Sequence, residues 1–241
     1  TVIFIFMGIN YAHADNLLIN HWAFNGNLED TSADKILSFS SEEDNPTFID
    51  GKFNKAVKLN GESDYLSCIG VTYPAFTLGI LAVINDLPEE DAIIFTNTSI
   101  TIKINNSSAL TISFKLANGN VKEYTLQDIF KVKEYFAIAI SADENKKLGI
   151  YYATFKEDGK TINHKDKIME TLEDKIANSD DQFLFGGGDD LNCVSISLDE
   201  IKYFNYYMDE KVSFQALKDW LGEGKTSTTT KKDDTTVTQS T

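Results

Sequence analysis

Eleven short runs rich in β-branched and aromatic residues constrain this chain more than any other feature. They lie at 17–24, 56–59, 65–69, 76–84, 92–95, 99–104, 109–116, 135–142, 147–155, 182–185 and 193–204, and their dominant period is two. Turn residues bound nearly all of them, as in Asn118-Gly119-Asn120, Asp143-Glu144-Asn145 and Asp158-Gly159-Lys160. Such a pattern predicts an all-β fold. Several runs, Phe136 to Ile140 among them, are apolar on both faces, which suits a two-sheet antiparallel sandwich better than an up-and-down barrel. Helix is scarce. Asp209 can cap a segment over 209–221 in which Val212, Phe214, Leu217, Trp220 and Leu221 form an apolar stripe. A weaker candidate covers 165–177, where Ile168, Leu172 and Ile176 stand four apart.

The 241 residues, 42% of them hydrophobic, suffice for one sandwich-sized core. A net charge of −15 would repel nucleic acid and acidic lipid, so the expected partner is neutral or cationic. All 22 basic residues are Lys. Without Arg the chain lacks the side chain best suited to forked recognition of phosphate.

Residues 1–14 read as the remnant of a signal peptide: an apolar run from Val2 to Ile9 precedes Ala12-His13-Ala14, and cleavage is expected before Asp15. The alternative is a hydrophobic first strand. No other run approaches the length of a membrane span. The mature protein is therefore expected to be secreted or held at the cell surface, with a folded domain over 15–224. Residues 225–241 are Thr-rich and too polar to order themselves, which reads as a tail or a linker to further domains of a longer chain. In an exported protein Cys68 and Cys193 become a disulfide candidate, worth about 4–5 kcal/mol in the chain-entropy model. Two thiols on unconnected strands would look the same in sequence. Gly222-Glu223-Gly224-Lys225-Thr226 ends like a phosphate-binding loop, but Asp219 stands where the first Gly is required.

Two stretches carry a family resemblance. His21-Trp22-x-Phe24-Asn25-Gly26-Asn27-Leu28-x-Asp30, followed by Phe48-Ile49-Asp50-Gly51-Lys52-Phe53-x-Lys55-Ala56-Val57-x-Leu59-Asn60-Gly61 and Asp64-Tyr65-Leu66, resembles the opening half of LamG-like domains. Phe183 to Gly187, then Leu198-Asp199-Glu200-Ile201-Lys202-Tyr203-Phe204-Asn205 and a short helix at 213–217, resembles the closing half. The resemblance covers about residues 16–221 and implies a concanavalin A-like jelly roll with a short C-terminal helix, of a kind found in secreted proteins that bind carbohydrate or protein. The middle departs from the family: Tyr135 stands where a Trp is usual, and Ile196 replaces a small residue.

Val194, Ile196 and Leu198 share one face, yet Ile201 and Tyr203 continue the apolar series in the opposite phase. One residue must be absorbed near Asp199, which predicts a β-bulge. A carboxylate aimed by a bulge can help to hold Ca²⁺ together with backbone carbonyls. Similarity to jelly-roll glucanases implies Asp199 as ligand with the backbone of Asn25 or Gly26 and with Asp30; otherwise Asp199 and Glu200 are solvated or accept N–H bonds in the bulge.

No Glu-x-Asp-x-x-Glu run of the laminarinase type occurs, and His21 and His164 belong to no recognised catalytic spacing. Glu89-Glu90-Asp91 reads as a solvated loop. The leading expectation is a non-catalytic module that binds a glycan, with Tyr73, Tyr151 and Tyr152 as candidate stacking rings. A protein-binding or structural adhesion domain is the alternative, and a glycosidase with a dispersed site is a third.

Overall fold

A computed structural model describes residues 18–32, 35–40, 45–127, 130–156 and 161–209. The signal remnant, the helix expected at 209–221 and the Thr-rich tail lie outside them, Asp209 excepted. Two antiparallel sheets form a sandwich. One has eight strands, in the order β13 (Ile162–Thr171), β12 (Lys147–Phe155), β11 (Tyr135–Ala142), β6 (Phe76–Ile84), β15 (Ser195–Phe204), β4 (Lys55–Asn60) and β3 (Thr47–Asp50), with β1 (Leu18–Trp22) also paired to β15. The other runs β10 (Val121–Leu126), β9 (Leu110–Lys115), β8 (Ile100–Ile104), β7 (Ala92–Thr96), β14 (Ser179–Phe185), β5 (Leu66–Thr72) and β2 (Ser38–Phe39).

All eleven runs read from the sequence are strands, and β2, β3, β10 and β13 are added to them. The helix expected over 165–177 is absent. Most of that segment is β13, an edge strand paired with β12 from Lys147↔Thr171 to Phe155↔Ile162. Its mostly exposed, charged side chains give no period-two apolar signal, so pairing rather than pattern decides its conformation.

Between the sheets lies one large core containing Trp22, Phe76, Phe95, Phe114, Phe183 and Phe185. Trp22 packs edge-on against Phe185 at 5.9 Å, which ties the opening motif to the far sheet. One lateral edge is closed by Glu170, which accepts from Tyr124 Oη at 2.6 Å and pairs with Lys122 Nζ at 2.9 Å. The opening and closing motifs are neighbours, with His21 opposite Lys202 and Trp22 opposite Ile201.

Candidate functional site

The bulge expected near Asp199 is present. Between Leu198 and Glu200 the pairing of β15 with β6 slips by one residue, so Leu198 and Ile201 both face the core while Asp199 and Glu200 both point outward. The Asp199 carboxylate accepts the Lys52 N–H, the Phe53 N–H at 3.2 Å and the Tyr135 hydroxyl at 3.2 Å. It thereby clasps the β3–β4 turn and the start of β11 to β15. Gly51 makes the clasp possible, because a Cβ there would stand 2.7 Å from Asp199 Oδ2.

Neighbouring carboxylates are driven in opposite directions. Burial pushes Asp199 up to about 6 against the pull of the two amides and Tyr135, with Glu200 adding repulsion. Burial also pushes Glu200 up, but the His21 ring and the Lys202 ammonium outweigh it and hold that carboxyl below its usual range. His21 Nε2 lies 3.3 Å and Lys202 Nζ 2.9 Å from Glu200 Oε2, a set of ion-pair contacts rather than well-directed hydrogen bonds. Split carboxylates are a familiar acid/base arrangement. Here Asp199 is 0% exposed, so its carboxylate faces protein rather than a substrate.

The residues expected to share a calcium ion are not brought together. Asp30 accepts from Asn20 Nδ2 at 2.6 Å, His21 N at 2.8 Å, Ser32 N at 2.8 Å and Ser32 Oγ at 2.7 Å, so it caps its own turn. Asn25 and Gly26 are exposed, with nothing within 4 Å of a Cβ built on Gly26. Among the described residues no group of three His, Cys, Asp or Glu is placed to hold a metal.

Both cysteines are free, which corrects the disulfide expectation. Cys68 pairs with Phe183, whereas Cys193 abuts Gly187, four residues further along the chain. That offset amounts to roughly 10 Å or more, beyond the reach of a disulfide. Two of the three candidate rings are corrected as well. Tyr151 is fully buried, lying over Gly149, where a Cβ would sit 2.6 Å from its ring, and Tyr152 faces the core. Tyr73 is half-buried and stacks on Tyr203 with ring centroids 6.2 Å apart. His164 is exposed, and the Glu89-Glu90-Asp91 loop is exposed as expected.

The outward side chains of the two sheets differ in kind. On the eight-stranded sheet Leu81, Ala137, Ala139, Tyr151, Ala153 and Phe155 form a second buried cluster flanked by Phe53, Tyr135 and Ile162. Lys52 Nζ stands 4.1 Å from the Phe155 ring centroid, and past β15 the Met208 N–H donates to Ser141 Oγ at 2.7 Å on the same face. This face is covered.

The outer face of the seven-stranded sheet carries exposed and partly exposed side chains, and no described residue buries it. Cross-strand pairing lines up Ser38, Ser67, Leu184, Thr96, Thr101, Ser113 and Glu123, one residue from each strand in turn. Each alternates with core residues on its own strand and therefore points outward; Ser38 and Glu123 are exposed and the other five are partly so. Five of the seven carry a hydroxyl. Thr96 and Thr101 share a hydrogen bond of 2.9 Å, and Ser113 Oγ donates to Glu123 Oε2 at 3.0 Å. Alongside runs a shorter row of Lys103, Thr111 and Thr125, and on β5 stands Ile69, 69% exposed. Sequence reading missed this row because it exists only once strand order and register are known.

No family model and no curated protein matches the sequence. Solved structures do. The binding domain of Paraclostridial Mosquitocidal Protein 1 is similar at TM-score 0.63 and 13% identity, over 86% of this chain and 52% of that one. Domain 4 of AbnA, a GH43 extracellular arabinanase from Geobacillus stearothermophilus solved with arabinotriose, is similar at 0.60 and 14% identity, over 84% of this chain and 97% of that one. A botulinum neurotoxin type C structure, described with cell entry dependent on two ganglioside molecules, is similar at 0.59 and 14% identity, over 87% and 52%. This chain spans about half the length of the two toxin chains. At such identities the likeness speaks for the fold alone, the sandwich of two antiparallel sheets that the LamG-like resemblance implies.

Proposed function

We propose that the protein is a non-catalytic carbohydrate-binding module that takes its ligand on the open face of the seven-stranded sheet. The observation that carries this reading is the hydroxyl row from Ser38 to Glu123, which no described residue covers and in which Glu123 is the one charged member, on a chain whose net charge is −15. Hydroxyls donate and accept, as sugar hydroxyls do, so they form hydrogen bonds without the desolvation cost of burying a charge. The likeness to an arabinanase domain solved with arabinotriose supports the reading, as does the ganglioside dependence described for the type C toxin. Export to the exterior accords with such a ligand and with the apolar run ahead of Asp15.

Retention on immobilised polysaccharides tests the proposal. Neutral glycans are expected to retain the protein, and heparin and other polyanions to let it pass. Failure to bind any glycan would favour protein adhesion, for which Ile36 and Ile69, 65% and 69% exposed, offer an aliphatic contact.

A further inference from the structure

We infer that the ligand is an extended, unbranched, uncharged polysaccharide chain, laid across the strands and held along its length rather than by an end. The inference rests on the carbohydrate reading above and adds the shape of the ligand. Seven strands contribute one outward side chain each to the row. Adjacent strands are about 4.8 Å apart, so the six steps span roughly 29 Å. One strand spacing is close to the length of one sugar unit in an extended chain, so each strand can meet one unit.

Among the described residues nothing closes either end of the row. Ser38 at one margin and Glu123 at the other are exposed, so neither supplies a wall against which a terminal sugar would stop. The row therefore suits the interior of a chain. It also holds no aromatic ring: Leu184, in the middle, is its one apolar member and can meet the C–H face of a single sugar. Recognition without a stacking platform must come from several weak hydrogen bonds, each worth only a severalfold change in affinity. Affinity then depends on how many strands are engaged at once. A branched ligand would lift off the flat row, and a polyanion would meet the Glu123 carboxylate.

Titration with linear neutral oligosaccharides of two to eight units, cut from whichever polysaccharide retains the protein, tests the inference. Affinity is expected to rise at least tenfold from the dimer to the heptamer and then level off, with chain ends blocked or free making no difference. The double variant Thr101→Val, Ser113→Ala, unchanged in melting temperature, is expected to lose about tenfold for the hexamer and much less for the dimer. Affinity already saturated at the dimer or trimer, or a hexamer indifferent to the double variant, would overturn the extended-chain inference while leaving carbohydrate binding intact. Retention by no glycan at all would instead overturn the carbohydrate reading itself.

Discussion

The two sheets of this sandwich turn opposite kinds of surface outward. On the eight-stranded sheet the outward positions of the central strands are Leu81, alanines and the flat rings of Tyr151 and Phe155, all buried. On the seven-stranded sheet they are mostly Ser, Thr, Lys and Glu, with Leu184 and Ile69 among them, left wholly or partly in contact with water. The inward faces hardly differ, since both supply one apolar core. The contrast teaches that period two identifies a strand and its core face but leaves open whether the other face is wet.

Replacing Tyr151 should show the contrast most strongly. Tyr151→Ala removes a ring that is 0% exposed and should cost about 3–5 kcal/mol, lowering Tm by about 10 °C. A melting temperature within a degree or two of the parent would mean that the eight-stranded sheet is not covered as described. Next comes Asp199→Ala, which leaves the Lys52 and Phe53 amides and the Tyr135 hydroxyl without their acceptor. Its expected cost is about 3 kcal/mol by urea unfolding, with the m-value unchanged.

The pH dependence follows from the same clasp. With its folded value raised from 3.8 to about 6, Asp199 keeps a proton in the folded chain that the unfolded chain releases, so its contribution is present below 3.8 and is lost as pH rises through 6. The loss amounts to about 2–3 kcal/mol. Glu200 acts in the opposite sense: held below 4.5, it contributes stability above that value and loses it as pH falls through its lowered pKa. Asp199→Asn is expected to flatten the slope of stability between pH 4 and 6; a slope unchanged in the variant would assign it to other groups. The smallest effect belongs to the open face, where Thr101→Val should move stability by less than about 0.5 kcal/mol. A larger loss there would make the hydroxyl row part of the structural framework.

Some of this was readable in the chain. The bulge at Asp199 announces itself because Leu198 and Ile201 are both apolar at a spacing that a regular strand cannot turn inward. That Asp199 would hold the β3–β4 turn was not readable, since it depends on Lys52 and Phe53 amides that come alongside only in the fold. Tyr151 and Tyr152 alternate across their strand, and each is buried for a different reason: one beneath the cover of the outer face, the other in the core. The hydroxyl row was the least legible feature. Its residues are up to 146 positions apart in sequence, from Ser38 to Leu184, and a register shift of one residue in any strand would break it.

Hydrogen exchange with and without a bound linear glycan tests the central claim most directly. Protection is expected across β2, β5, β7, β8, β9, β10 and β14, with the outer face of the eight-stranded sheet and the clasp at Lys52 and Phe53 unchanged. Protection centred on that clasp or around Tyr73, with the seven-stranded sheet unaffected, would contradict it.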